Sequence, residues 1–108
     1  MNLRIIQLEQ KEWALRNFGD KPSWHPLLGI AEEVGELCHG YLKREQGIRG
    51  TAENHAEEIK DAVGDIQIYL IDFCNREHLD LQSIIQETWA EVKKRNWKEN
   101  PETGKETN

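Results

Sequence analysis

Apolar residues recur along this chain at the spacing of helices, and no stretch alternates as a strand would. The pattern predicts a first helix over about 3–18, with Ile5, Leu8 and Leu15 on one side and Ile6 and Trp13 beside them. Gly19, Pro22 and Pro26 then interrupt the chain in GDKPSWHP. A second helix is expected over about 27–43, where Leu27, Ile30, Val34, Leu37, Cys38 and Tyr41 form an amphipathic stripe. The glycines of EQGIRGTA mark the next connection.

The third helix is expected over about 53–77, with Ile59, Ala62, Val63, Ile66, Tyr69, Leu70 and Phe73 on its inner stripe. Ile68 and Ile71 point elsewhere, so IQIYLIDF is apolar nearly all round and calls for cover on a second side. In a chain this short we expect that cover from another subunit. Asp80 reads as the N-cap of a fourth helix carrying Leu81, Ile84, Ile85, Trp89 and Val92. The fold expected is all-α, a four-helix, antiparallel bundle-like domain over residues 1–97, completed by oligomerisation. Residues 98–108, KENPETGKETN, read as a polar, disordered tail.

Composition narrows the partners. The 108 residues make one small domain, and 20 acidic against 14 basic residues give a net charge of −6. That excess argues against nucleic acid or an anionic membrane as partner, since both demand positive charge. No apolar run approaches the roughly 20 residues of a membrane span. The N-terminus turns polar too early for a signal peptide. Cys38 and Cys74 have neither the number nor the spacing of a zinc site and read as buried free thiols. A cytoplasmic protein is expected.

The acidic residues are not evenly spread. GIAEEVGELCHG places Glu32, Glu33 and Glu36 together, and Glu58, Asp61, Asp65 and Asp72 line one side of the third helix. Asp65 is expected among Ile66, Ile68 and Tyr69 with little room for solvent, where a lone carboxylate must be paired or bound to a cation. Like charges about 4 Å apart repel by roughly 4 kcal/mol at an effective dielectric of about 20, and a divalent cation turns that repulsion into binding. All-oxygen donors favour Mg²⁺ or Mn²⁺, ions that accompany phosphates.

EEVGE (Glu32 to Glu36) followed by EIKDAVGD (Glu58 to Asp65) resembles the E-E-x-x-E … E-x-x-D pattern of the MazG-like, all-α nucleoside triphosphate pyrophosphohydrolases. The likeness runs over roughly residues 13–97. It implies Mg²⁺-dependent hydrolysis of a (d)NTP between the α and β phosphates, giving a nucleoside monophosphate and pyrophosphate. It also implies a homodimer or homotetramer in which helices of two subunits wall each site. One position departs: the family's Glu three residues before the Asp matching Asp65 is here Ala62. Either Glu58 and Asp61 supply the motif one turn earlier, or Asp61 works with Asp65, the pairing we favour.

Glu33 and Glu36 are then the metal ligands of the second helix, with Asp61 and Asp65 opposite and Glu58 as an outer ligand. Glu32 is the candidate to take a proton from attacking water. Lys93 and Arg95 are candidates for the phosphates, or else partners of the fourth helix's dipole. Trp24 reads as a loop anchor or a surface for stacking on a base. Two rivals stand beside this reading. Glu36-Leu-Cys-His39 is one half of a di-iron motif whose second half is absent from the sequence. A non-catalytic helical interaction module would use the acidic face for solubility alone.

Overall fold

The computed structural model describes residues 1–106. Positions 107 and 108 of the expected tail lie outside the described residues. Four α-helices follow one another: α1 (Leu3–Phe18), α2 (Trp24–Gln46), α3 (Ala52–Arg76) and α4 (Leu81–Val92), and no strand occurs among the described residues. The fold is all-α, as the periodicity predicts. No helix of the described residues is long and apolar enough to cross a membrane.

Local chemistry sets the ends. Asn2 caps α1 by accepting from the N–H groups of Arg4 and Ile5 at 3.1 and 3.3 Å. The Thr51 hydroxyl accepts from Asn54 N–H at 3.1 Å and caps α3. Gly47 ends α2 in a left-handed conformation, φ 67°. Asp80 occupies the N-cap position of α4, yet its carboxylate accepts from Arg4 Nε at 3.0 Å and from Ser83 Oγ at 2.9 Å. Helix α2 starts at Trp24, ahead of the expected Leu27, because Pro26 falls in its first turn, where no intrahelical N–H bond is lost.

Helix α3 is the spine. Helix α2 runs antiparallel along it, so that Gly29 lies against Tyr69 and Gly40 against Glu58 and Ile59. Helices α1 and α4 pack instead around Ile71 and Cys74, and Ile71 is about half a turn round α3 from Ala62. There Ile71, Cys74 and Leu81 form the buried core, with Leu3, Ile6 and Leu70 packed on it. Ile71 therefore finds its second cover within its own chain, whereas Ile68 is 43% exposed.

The stripe expected to face inward on α1 points outward, as does part of that on α2, where Ile30 and Leu37 are half-buried. In α1 the buried positions are Gln7, Gln10 and Ala14, while Ile5, Leu8 and Leu15 are exposed. Gln7 Nε2 donates to Leu79 O at 2.7 Å, its Oε1 accepts from Leu81 N–H at 3.2 Å, and Asn75 Nδ2 donates to Gln10 Oε1 at 2.9 Å. These bonds make α1's inner face polar without leaving a buried group unpaired. In α2, Leu27, Val34, Cys38 and Tyr41 are exposed, so Cys38 is not the buried thiol expected; Cys74 is. The radius of gyration is 17.8 Å. A compact chain of this length measures about 13 Å.

Candidate metal centre

The α2–α3 seam is built for close approach. A Cβ added at Gly29 would sit 2.6 Å from Cδ1 of the Tyr69 ring, so only glycine lets the ring lie against α2 there. Ala62, 2% exposed, is the matching small residue on α3. Between the contacts at Gly29 and Gly40 the antiparallel register puts Glu33 at the level of Asp65 and Glu36 at the level of Ala62.

Glu33 is half-buried at this seam. Its carboxyl is held above the ordinary 4.5, first by desolvation and then by the negative charges of Asp65, Glu32 and Glu36. The Tyr69 phenol is pushed above its ordinary value by burial and by Glu32, Glu33, Asp65 and Asp72. The glutamates of GIAEEVGELCHG and Asp65 of VGDIQIYL thus share one electrostatic neighbourhood. Asp65 itself is exposed, not shut among apolar side chains as expected, because α2 covers the face of Ala62 and Asp65 lies about 60° to one side.

The other acids divide. Asp72 accepts from Arg76 Nε at 2.8 Å, and Arg76 Nη1 donates to Lys21 O at 2.6 Å, tying the α1–α2 connection to α3. Glu58 Oε2 lies 3.1 Å from Nδ1 of the buried His55. Asp61 is exposed, one turn before Asp65, and is not among the charges that act on Glu33.

Among the described residues no three His, Cys, Asp or Glu side chains converge as a metal-holding group. The chemistry of Glu33 nonetheless fits a hard cation: a desolvated carboxylate ringed by others of its own charge is relieved by positive charge. Trp24, the first residue of α2, is 55% exposed, with its ring 4.1 Å from that of His25. It lies nine residues from Glu33, about 13 Å along the helix. Lys93 and Arg95 sit at the end of α4, the helix that packs with α1 and on the Ile71 side of α3. None of the charges acting on Glu33 comes from α4.

Sequence reasoning missed Gly29, Tyr69 and His55. Tyr69 was legible only as one more apolar-stripe residue, and His55 had one signal, a carboxylate three positions on. Set against protein-family models, curated proteins and solved structures, the chain matches none of them.

Proposed function

We propose that this chain is a Mg²⁺-dependent nucleoside triphosphate pyrophosphohydrolase of the MazG-like kind, converting (d)NTP and water to (d)NMP and pyrophosphate, with Mn²⁺ as a possible substitute. The observation that carries the reading is Glu33 standing across the α2–α3 seam from Asp65, its carboxyl raised by desolvation and by neighbouring acids. Glu33, Glu36, Asp61 and Asp65 would hold the cation, with Glu58 as an outer ligand. The cation would neutralise phosphate charge and polarise the bond to be cut. Glu32, exposed beside Glu33, accepts the proton of the attacking water.

The outward stripes support a homo-oligomer, dimer or tetramer. Leu70, Phe73, Leu79, Ile84, Ile85, Trp89 and Val92 line an open, wholly apolar groove of about 510 Å³ between α3 and α4. Surfaces of that kind mark association sites. Since α4 packs away from α2, Lys93 and Arg95 would meet substrate phosphates at a site shared between subunits, and Trp24 would serve the base. No nucleic acid or membrane partner is proposed, and the protein would work in the cytoplasm.

The deciding experiment is a nucleotide panel with Mg²⁺ or Mn²⁺, resolving pyrophosphate from orthophosphate. Pyrophosphate with monophosphate is expected, and orthophosphate alone would overturn the reading. Asp65→Asn should cost at least about 100-fold, the upper end of what losing even an outer partner of a metal site costs. Folded protein that hydrolyses no nucleotide would leave the helical interaction module as the better account.

A further inference from the structure

A cavity of about 640 Å³ opens where the C-terminal half of α1, the α1–α2 connection and the last turn of α3 meet. None of Glu32, Glu33, Glu36, Asp61 or Asp65 lines it. Asp72, on its wall, lies seven residues beyond Asp65, about 10 Å along α3. The cavity is therefore separate from the seam proposed to hold a cation, and its size is that of sites that take small molecules.

Its fixed point is Arg76, whose side chain is 10% exposed. Nε donates to Asp72 Oδ1 at 2.8 Å and Nη1 to Lys21 O at 2.6 Å. Nothing among the described residues accepts from Nη2. It is reachable all the same, since no fully enclosed side-chain nitrogen or oxygen is left unbonded. Asp72, 13% exposed, uses only Oδ1 for Arg76, which leaves Oδ2. Asn75 donates from Nδ2 to Gln7 O and Gln10 Oε1, which leaves Oδ1 as an acceptor. One rigid charged donor and two acceptors thus stand on a single turn of α3.

The charge of the wall decides what kind of guest it suits. Lys11, Lys21 and Arg76 line it with Asp20, Asp72 and Glu77, three charges of each sign besides His78. Lys11, Lys21, Asp20 and Glu77 take part in no ion pair among the described residues. A lone anion or a lone cation meets as much repulsion as attraction on such a wall. A guest that carries both charges is stabilised at both ends. Ala14, Leu15 and Pro22 supply an apolar side.

We propose that this cavity binds a small zwitterion, an α-amino acid with an apolar side chain. Its carboxylate accepts from Arg76 Nη2 and Lys21 Nζ, and its ammonium donates to Asp72 Oδ2 and Asn75 Oδ1. Its side chain lies against Leu15 and Pro22. Such a guest ties the α1–α2 connection to α3 beside the bond that Arg76 already makes to Lys21 O. The site is independent of nucleotide hydrolysis.

The test is an NMR titration of the full, Mg²⁺-free chain with L-leucine, N-acetylleucine, leucinamide and inorganic phosphate. Leucine should bind with a Kd of about 1 mM or tighter. It should shift the Arg76 Nε–H and the Ser23 and Asn75 amides, and leave the Glu33 and Asp65 amides in place. N-acetylleucine lacks the ammonium and leucinamide the carboxylate, so each should bind at least about tenfold more weakly. Lys21→Gln keeps the carbonyl that Arg76 bonds, and Asp72→Asn keeps an oxygen for Arg76 Nε. With helicity retained, the first should weaken leucine about threefold and the second about tenfold.

Absence of any shift at about 20 mM leucine would overturn the amino-acid site. So would equal binding of leucine and either derivative, or unchanged leucine affinity in both variants. Phosphate binding more tightly than leucine would make the cavity an anion site instead. Saturating dATP with Mg²⁺ should leave leucine bound; displacement would give the cavity to the nucleotide, against this assignment. None of these readings needs hydrolysis, so failure of the catalytic proposal leaves them standing.

Discussion

Helix α3 meets the rest of the chain in two unlike ways. Near its C-terminal end, Ile71, Cys74 and Leu81 are 3–5% exposed and the adjoining Gln7, Gln10 and Asn75 are all hydrogen-bonded. Along the rest, α2 approaches through Gly29, Gly40 and Ala62, and the half-buried side chains there include, beside Ile30, Leu37, Ile59, Ile66 and Tyr69, the carboxylate Glu33. Apolar burial and paired polar groups stabilise the first contact. The second brings backbones close and sets like charges against one another, a conflict that a fold sustains where function asks for it. Under the proposed function, one end of the spine would carry stability and the other the chemistry.

The largest effect that would test this division is on the core side. Ile71→Ala removes a side chain from a cluster with few members and should cost about 2–5 kcal/mol in urea unfolding. A loss under about 1 kcal/mol would show that the single-chain core is not where stability resides. On the seam, Gly29→Ala puts a methyl group into the Tyr69 ring and should cost about 1–3 kcal/mol. It should also reduce hydrolysis, because Tyr69 has to move among Glu32, Glu33 and Asp65. If unfolding and activity both stay at wild-type levels, α2 and α3 are not held at this spacing.

The division was only half legible in the sequence. Helical period and caps gave all four helices, with α1 from Leu3 to Phe18 and α4 starting after Asp80. The inward face was legible for α3, where Ile59, Ala62, Ile66 and Tyr69 are buried or half-buried, but not for α1 and only in part for α2. Periodicity marks Ile5, Leu8 and Leu15, and likewise Leu27, Val34 and Tyr41, as sides that want cover, but it does not say whether this chain supplies it. For these residues it does not. The inner faces are made of residues that hydropathy passes over: Gln7 and Gln10, whose amides bond backbone and side chain across the chain, and Gly29 and Gly40, which admit neighbours. The same limit applies at the site. The acidic line on α3 was visible, but not that His55 engages Glu58 and Arg76 engages Asp72.

The smallest expected effect has the opposite sign and bears most directly on the comparison. A carboxyl whose folded value lies above 4.5 binds its proton more tightly in the native state, so native stability falls as pH rises through that range. At pH 7 an ionised Glu33 opposes folding, and Glu33→Gln should raise the midpoint of thermal unfolding slightly. The gain should vanish as pH falls below 4.5, where the wild-type carboxyl is protonated in both states. Under the proposed function, Mg²⁺ should raise the wild-type midpoint, since it binds the native state, and leave the variant's nearly unchanged. A variant that is less stable than wild type at pH 7 without Mg²⁺ would make Glu33 a structural asset of the seam. The two ends of α3 would then differ in composition but not in purpose.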